Sequence, residues 1–329
     1  MKNITLGGLF SGTGAVSLQV GDLALGIAKY GGWDKMEQNH AQLDRFVASG
    51  GNFIDTALVY GRWVDETQVS YSEQVYGKWL EKNDNRAKTV TATKGAHPLP
   101  GTSAPRINAA CIANDVGESL VNLKCKTIDL YFLHRDDESV PVSEIMDELN
   151  RQAERGALNL LGASNWTAER IYRANDYCVG HNMRGFDVSQ ICFNLMRPTP
   201  KMLGDVTLVS MTDAQARLYH DMHMPIMAFT AQAGGFVSKY IDVPRGEITS
   251  RYATEENLRR LERIRILCRD TGLTPTEVTL GYLYGQANTA VPLTVIPVTS
   301  VSNDRQLDDV MESSDACLTP EQIAWIDGI

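Results

Sequence analysis

Positive charge is scarce in this chain. Its 329 residues include 31 Lys and Arg against 40 Asp and Glu, which gives a formal net charge of -9. A broad nucleic-acid surface needs clustered Lys and Arg, so this balance argues against such a partner. It still leaves room for a local basic pocket that holds a phosphorylated small molecule.

Long apolar runs are also missing. No stretch of 18 apolar residues occurs, so we expect no membrane span. Near the start, Lys2 precedes the mildly apolar stretch ITLGGLFSGTGAVSLQV, which four glycines interrupt together with Ser and Thr. Such a stretch makes a poor signal-peptide core, and we therefore predict a cytoplasmic protein.

The six cysteines form no recognisable motif. They stand at positions 111, 125, 178, 192, 268 and 317, where no two make a C-x-x-C pair and none lies near a His at zinc-ligand spacing. We expect reduced, mostly buried thiols, as is typical of a cytoplasmic protein. A catalytic role for one of them is the alternative.

Short β-rich runs alternate with helical patterns through the chain. Seven runs have the apolar composition of strands buried on both faces: GNFIDTA from Gly51, KTVTATKG from Lys88, TIDLYFLH from Thr127, LNLLGAS from Leu158, FDVSQICFN from Phe186, PIMAFTA from Pro225 and LTVIPVT from Leu293. An eighth strand is expected within GDLALGIAKYG. This alternation fits either a doubly wound open sheet or a closed barrel.

The intervals between the strands carry helical patterns. Pro141 followed by Ser143 marks one helix start, while Gly156 and Gly272 stand where helix C-caps belong. We find no linker, low-complexity tract or close repeat, and α/β barrels reach this length as one unit. Residues 1–329 are therefore predicted to form a single domain.

The glycine-rich segment GGLFSGTG invites a nucleotide-binding interpretation that its details do not support. It lacks the G-x-G-x-x-G spacing and a Lys-Ser/Thr end, and it leads into SLQV rather than into a helix. We predict instead a β-hairpin ahead of the strand-helix repeat.

Ionisable residues end three of the predicted strands. Asp55 closes GNFID, Lys94 closes TVTATK and His134 closes IDLYFLH, while Tyr60 follows Asp55 by five residues. Each alone is more often a turn, solvated or structural residue. Together they suggest a site, because buried charges need pairing and Asp with Lys supplies a compensated pair. A nearby ammonium would lower the pKa of Tyr60 and suit it to donate a proton to a carbonyl oxygen.

These segments resemble the aldo-keto reductase family over nearly the full chain. GNFIDTALVYG resembles the family's segment with the catalytic Asp and Tyr, ATKGAHP the one with the Lys, and DLYFLHRDD the one with the His. LLGASNW resembles its G-x-S-N-[FW] motif, and LTPEQIAWID its closing helix. The resemblance implies a (β/α)8 TIM barrel with an N-terminal β-hairpin.

The resemblance also implies an NAD(P)H-dependent oxidoreductase. Tyr60 would be the general acid in reduction and the base in oxidation, Lys94 would lower its pKa, Asp55 would hold Lys94, and His134 would orient the carbonyl. The implied cofactor contacts are Ser164, Asn165 and Gln190 on the nicotinamide carboxamide, Phe229 stacked on its ring, and Thr230 and Gln232 near the pyrophosphate. The family usually has Tyr at the stacking position, but only the ring face is needed there.

The adenosine end departs from the family pattern. Related chains often read I-P-G-x-R or I-P-x-x-G-x-R, with the Arg on the 2′-phosphate, whereas this chain reads VIPVTSVSNDRQLDD. Ser300 stands near the usual Gly and Ser302 near the usual Arg, while Gln306 and Asp309 fit the adenine contacts. Loss of the bidentate Arg weakens the case for NADP(H), although Arg305 at a helix N-terminus would reach the phosphate. NADP(H) is favoured and NAD(H) is the alternative.

We expect Trp63, His97, Arg135 and Trp166 to line the pocket mouth, and the resemblance bears on the substrate. It hints at a carbonyl or polyol substrate that is sugar-like, with the two Trp residues as aromatic platforms or as packing residues. Because the chain ends soon after its last helix, we expect no long C-terminal substrate loop and an open pocket. The sequence does not specify an oligomeric state.

Two other functions compete with a carbonyl reductase or alcohol dehydrogenase. One is a cofactor-binding regulatory subunit, like the potassium-channel β-subunits of the same family. The other is a metal-dependent barrel hydrolase, which needs several ligands at strand ends. Only His134 stands at such a position, since His97 lies in a loop and the pair His220 and His223 is expected at the surface. We therefore expect no metal.

Overall fold

The computed structural model describes residues 1–8, 16–64, 69–102 and 104–329. Within these ranges the chain forms ten strands. They are β1 (Asn3–Leu6), β2 (Leu18–Gly21), β3 (Ala24–Gly26), β4 (Phe53–Asp55), β5 (Val90–Gly95), β6 (Ile128–Leu133), β7 (Leu158–Ser164), β8 (Val188–Cys192), β9 (Ile226–Phe229) and β10 (Val295–Thr299).

Eight of these strands close into a parallel barrel. Its order is β10-β3-β4-β5-β6-β7-β8-β9. From β3 to β9 each strand lies beside the next one along the chain, and β10 closes the barrel between β9 and β3. The predicted barrel is thus confirmed, including the eighth strand within GDLALGIAKYG. Strands covered on both faces account for the near-continuous apolar runs in the sequence.

Helices alternate with the barrel strands in the described residues. They are α1 (Met36–Ala48), α2 (Tyr71–Leu80), α3 (Asn85–Lys88), α4 (Ala109–Asn122), α5 (Val142–Glu154), α6 (Ala168–Gly180), α7 (Pro200–Leu203), α8 (Asp213–Asp221), α9 (Phe236–Tyr240), α10 (Glu255–Thr271), α11 (Pro275–Tyr284), α12 (Asp304–Glu312) and α13 (Pro320–Asp327). Gly156 and Gly272 follow α5 and α10 with φ of +79° and +78°, the left-handed backbone that favours glycine after a helix.

The first two strands form the predicted antiparallel pair ahead of the barrel. Leu6 on β1 pairs with Leu18 on β2. Leu6 and Val20 are fully buried in one cluster with barrel residues such as Phe53 and Leu160, so the pair covers the N-terminal end of the barrel. The part of GGLFSGTG at residues 9–14, where the hairpin turn was predicted, lies outside the described residues.

The expectation for the cysteines was only partly right. All six are free thiols, but only Cys178 and Cys192 are buried, while Cys317 is exposed and the other three are half-buried. Burial raises the pKa of Cys178 to about 12 and that of Cys192 to about 11, which leaves both thiols protonated and poorly nucleophilic. None of the helices in the described part of the chain combines the length and apolar character needed to cross a bilayer.

The last helix is attached to the barrel by a buried charge that the sequence did not single out. Asp327 accepts hydrogen bonds from Arg260 at 2.5 Å, Arg197 at 2.8 Å and the Tyr282 hydroxyl at 3.1 Å. The Arg260 side chain is only 2% exposed. A buried guanidinium needs such pairing because desolvation of an unpaired charge is expensive.

Asp327→Asn should therefore lower the free energy of unfolding by about 3–5 kcal/mol, the usual cost of breaking a buried ion pair. Urea denaturation at neutral pH measures this. The matched control is Glu169→Gln, which breaks the exposed pair with Arg173 and should change stability far less. Equal losses in the two variants would show that Asp327 has no special structural role.

Candidate active site

The residues singled out at strand ends gather at one mouth of the barrel. Asp55 is the last residue of β4, Lys94 lies next to the end of β5, and His134 directly follows β6. Ser164 ends β7 and Phe229 ends β9. Parallel strands share a direction, so all these side chains belong to the C-terminal face, where barrel enzymes carry their chemistry.

Asp55 and Lys94 form a buried ion pair. The Lys94 ammonium donates to the two carboxylate oxygens of Asp55 at 2.8 and 2.7 Å and to the Thr56 carbonyl at 2.7 Å. Its side chain is 0% exposed and that of Asp55 is 4% exposed. Gln190 donates a further hydrogen bond to Asp55 at 2.8 Å. All three ammonium protons thus have acceptors, which fixes the position of the positive charge.

Tyr60 lies directly beside this pair. The Lys94 ammonium is 5.2 Å from the centroid of the Tyr60 ring, and the His134 ring meets it edge-on at 5.6 Å. Burial raises the pKa of Tyr60 above its ordinary value, while the Lys94 ammonium acts in the opposite direction. The expected lowering was therefore wrong as a net effect, because desolvation outweighs the ammonium. The phenol is protonated at neutral pH and can serve as a proton donor.

His134 is a buried, neutral imidazole. Burial holds the pKa of His134 well below its usual range, and the nearby charges of Arg135 and Lys94 add to the effect. Its Nδ1 is buried and has no hydrogen-bond partner among the residues described. The ring contacts that of His97, with a centroid distance of 4.7 Å.

A cavity of about 510 Å³ opens in front of these groups. Its polar wall consists of Tyr60, His97, Thr102, His134, Arg135, Ser164, Asn165 and Gln190. The remaining wall is Val59, Trp63, Pro98, Leu99, Pro100, Gly101, Leu208 and Phe229. Ionisable and polar groups thus share the cavity lining with apolar and aromatic surface.

Of the four residues expected at the mouth, three line the cavity and one does not. Trp63 lies in the wall and is 56% exposed. Arg135 also lines the cavity, but its guanidinium already donates to Asp205 at 3.0 Å and to Thr207 at 2.9 Å. Trp166 is fully buried, packs on Phe186 and donates its indole N–H to the Arg135 carbonyl. The placement of Trp166 at the mouth was wrong, because its large ring fills the layer behind the strands.

The residues assigned to the nicotinamide differ in how far their polar atoms are already engaged within the protein. Ser164, Asn165, Gln190 and Phe229 all line the cavity. The Gln190 amide nitrogen is held by Asp55, which leaves its oxygen as an acceptor. Asn165 is held on both sides, because it donates to the His134 carbonyl at 3.2 Å and accepts from the backbone of Val209 at 3.1 Å. Thr230 and Gln232 lie after β9, next to this wall but outside it.

The residues assigned to the adenosine end lie after β10. The Ser300 hydroxyl donates to the Gly26 carbonyl at 2.7 Å, and the backbone N–H of Ser302 donates to the Gln306 side chain at 2.8 Å. Arg305 is exposed in the first turn of α12, and Asp309 is exposed further along it. These positions leave Arg305 free to meet an anion.

A cation that the sequence reasoning missed stands beside them. Lys29 donates to the Ser302 hydroxyl at 3.0 Å. Lys29 follows β3 and Ser302 follows β10, two strands that pair side by side in the barrel. Loops that follow neighbouring parallel strands lie close together, so a closed barrel would bring the residues after β3 near those after β10. Applying this pairing of the first and last barrel strands to the sequence would have placed Lys29 near Ser302.

Among the described residues, no cluster of three or more His, Cys, Asp and Glu is arranged to hold a metal ion. His220 is half-buried, with Nδ1 3.0 Å from the Pro292 carbonyl, and His223 is exposed. This pair lies near the N-terminal ends of β9 and β10, far from the strand ends that carry Lys94 and His134.

Comparisons with known proteins agree with this geometry. The chain is 33% identical to norsolorinic acid reductase B of Aspergillus parasiticus over 55% of this chain and 49% of that protein. It is 33% identical to an aryl-alcohol dehydrogenase (NADP(+)) of Phanerodontia chrysosporium over 49% of this chain and 43% of that protein. These matches span about half the length of the fungal relatives. An uncharacterized oxidoreductase, YrpG of Bacillus subtilis, is 24% identical over 96% of this chain and 94% of its own length.

The family-level match is more extensive. The model of the Aldo/keto reductase family matches residues 22–329, which include the whole barrel and both loops of the adenosine end. The paired strands β1 and β2 lie before the matched residues. The chain belongs to the Aldo/keto reductase family.

Proposed function

We propose that this protein is an NADP(H)-dependent reductase of apolar or aromatic carbonyl compounds that also oxidises the corresponding alcohols. The observation that carries the proposal is the Tyr60 phenol, which faces the cavity beside the buried pair of Lys94 and Asp55. A protonated phenol next to a fixed ammonium is a proton donor whose conjugate base is stabilised where it forms.

The residues divide the chemistry among them. A bound nicotinamide supplies the hydride that reaches the carbonyl carbon. Tyr60 delivers the proton to the carbonyl oxygen, so that an alcohol forms, and Lys94 stabilises the phenolate left behind. An N–H buried without an acceptor is costly, so the proton of neutral His134 belongs on Nε2 rather than on Nδ1. Nε2–H then donates to the same carbonyl oxygen and polarises it.

The cavity wall favours an apolar substrate over the sugar-like one that the sequence suggested. Trp63, Leu99, Leu208 and Phe229 offer carbon surface, and the guanidinium of Arg135 is already engaged by Asp205 and Thr207. Those hydroxyls of a polyol that face this carbon surface would be buried without partners, which costs free energy. The name of one relative, an aryl-alcohol dehydrogenase, supports an aromatic substrate.

The adenosine end supports a phosphorylated cofactor. Lys29 and Arg305 bring two positive charges to the loops after β3 and β10, and the Ser302 hydroxyl lies with them. This set replaces the bidentate Arg that related chains carry near position 302. Cations and a hydroxyl suit a 2′-phosphate, whereas the free ribose hydroxyls of NAD(H) would leave the charges unused.

A screen of benzaldehydes, aliphatic ketones and aldoses, each with NADPH and with NADH, tests the proposal. We expect aromatic aldehydes with NADPH to give the highest kcat/KM. Preference for aldoses would restore the sugar-like assignment. Tight NADPH binding without oxidation by any carbonyl compound would favour the regulatory-subunit alternative instead.

Tyr60→Phe should lower kcat by about 10² to 10⁴-fold, the usual contribution of a general acid, because it removes the proposed proton donor and keeps the ring. The dissociation constant for NADPH should stay unchanged, since the phenol hydroxyl is not a proposed cofactor contact. Stopped-flow and fluorescence titration measure the two quantities. A variant that keeps more than half of the wild-type rate would remove Tyr60 from this role.

The two halves of the buried pair should differ in their contribution to stability. Asp55→Asn leaves the ammonium of Lys94 buried without a counter-charge, and this should cost up to about 3–5 kcal/mol of unfolding free energy. Lys94→Met should cost less, because the remaining carboxylate keeps the Gln190 hydrogen bond and can take up a proton. Urea denaturation of both variants without cofactor decides the ranking, and the reverse order would contradict this reasoning.

The basic group at the adenosine end should decide cofactor preference. Lys29→Met and Arg305→Ala should each raise the dissociation constant for NADPH about tenfold and barely change that for NADH, because a charge-assisted contact to phosphate is lost. Lys126→Met is the control, since Lys126 precedes β6 and therefore lies at the opposite end of the barrel. Titrations must hold ionic strength constant. Equal effects on both cofactors, or a wild type that prefers NADH, would contradict the assignment.

A further inference from the structure

His97 presents an unused hydrogen-bond acceptor to the cavity. Its Nδ1 lies 2.7 Å from the Pro98 carbonyl oxygen. A carbonyl oxygen only accepts, so Nδ1 carries the proton and donates it. Burial lowers the pKa of His97, and the ring is therefore neutral near pH 7 with a lone pair on Nε2. No described residue donates to that nitrogen, although His97 is part of the cavity wall.

The backbone around His97 is fixed from behind. Arg106 donates to the His97 carbonyl at 3.1 Å and forms a two-point ion pair with Asp115, at 2.8 and 2.6 Å. Asp115 also accepts the backbone N–H of Ala96 at 2.7 Å. The ring is thus held in place before any ligand arrives, so an interaction with it costs little ordering entropy.

The position of the ring relates the acceptor to the reacting carbonyl. His97 contacts His134 at 4.7 Å between centroids, and His134 contacts Tyr60 at 5.6 Å. A carbonyl oxygen bound by Tyr60 and His134 therefore lies close to the His97 edge of the cavity. A substrate group that hydrogen-bonds to His97 Nε2 is therefore expected to be attached within a few bonds of the substrate's carbonyl carbon.

We propose that His97 selects carbonyl substrates that carry a hydroxyl group near the carbonyl, by accepting the hydroxyl proton at Nε2. This rests on the proposed function, because it takes the carbonyl to bind at Tyr60 and His134. The substrate class is thereby narrowed from aromatic aldehydes and ketones in general to hydroxylated ones, such as phenolic aldehydes. A methoxy group at the same place has similar size but no proton to donate, and it is disfavoured.

The kinetic test compares matched substrates. For 3- and 4-(hydroxymethyl)benzaldehyde against their methoxymethyl counterparts at pH 7.5, where the alcohol stays protonated, at least one hydroxyl isomer should have a kcat/KM about three- to tenfold above that of its methoxy counterpart, the range of one hydrogen bond. In His97→Phe, which keeps an aromatic ring against His134, the ratio should fall to about one whatever the absolute rate. A wild-type ratio near one for both positions would overturn the proposal.

A pH series separates an acceptor from a packing residue. As the pH falls from 7.5 through the lowered pKa of His97, Nε2 becomes a donor and the preference for hydroxyl over methoxy should vanish. Arg106 on its own loop, Arg135 and His134 after β6, and Asp205 before β9 face this ring and affect both substrates alike, so they cancel in the ratio. NMR of the His97 ring protons in the same series reports when the ring becomes protonated, and a ratio that stays constant through that protonation would contradict the proposal.

Binding of benzamides, which resemble the aldehydes but cannot be reduced, tests the role of His97 separately from the proposed reaction. Dissociation constants of 3- and 4-hydroxybenzamide and the matching methoxybenzamides can be followed by fluorescence of Trp63 in the cavity wall. Hydroxyl preference here without turnover of any aldehyde would support the role of His97 and refute the proposed reaction. Turnover of aldehydes with no preference for the hydroxyl compounds in either assay would support the proposed reaction and refute the role of His97.

Discussion

The ion pair between Lys94 and Asp55 is the constraint on which the site depends. An ammonium with 0% exposure is tolerated only because Asp55 and the Thr56 carbonyl satisfy all three of its protons. The pair in turn fixes the charge that Tyr60 faces, and through Gln190 it connects two barrel strands that are far apart in the chain. The barrel supplies the geometry for this pairing, since only strand ends that converge can bring residues 39 and 135 positions apart into contact.

Much of this arrangement was readable from the sequence because it follows from periodicity and strand direction. Apolar runs buried on both faces predicted the eight barrel strands, and parallel strands send their last residues to one face. Asp55, Lys94 and His134 could therefore be placed together without a structure. The predictions that failed concerned how deeply individual side chains are buried. Trp166 could not be distinguished from Trp63 by residue type, although one is buried behind the strands and the other lines the cavity.

The sequence also could not show whether burial or the nearby ammonium has the larger effect on the pKa of Tyr60. The ammonium beside Tyr60 does act to lower the pKa of the phenol, but burial acts more strongly in the other direction, and burial depends on packing from several elements. Lys29 escaped notice because its partner Ser302 lies 273 positions away, across the closure between β3 and β10. Asp327 was missed for a similar reason, since the three groups that it binds come from separate segments.

The antiparallel strands β1 and β2 close the N-terminal end of the barrel, so the barrel is open at one end only. Leu6 and Val20 pack against the residues inside the barrel at this end. The cavity lined by Tyr60 and His134 opens at the opposite end. Under the proposed function, the nicotinamide and the carbonyl compound would therefore enter and leave at the same end of the barrel, and neither could pass through it.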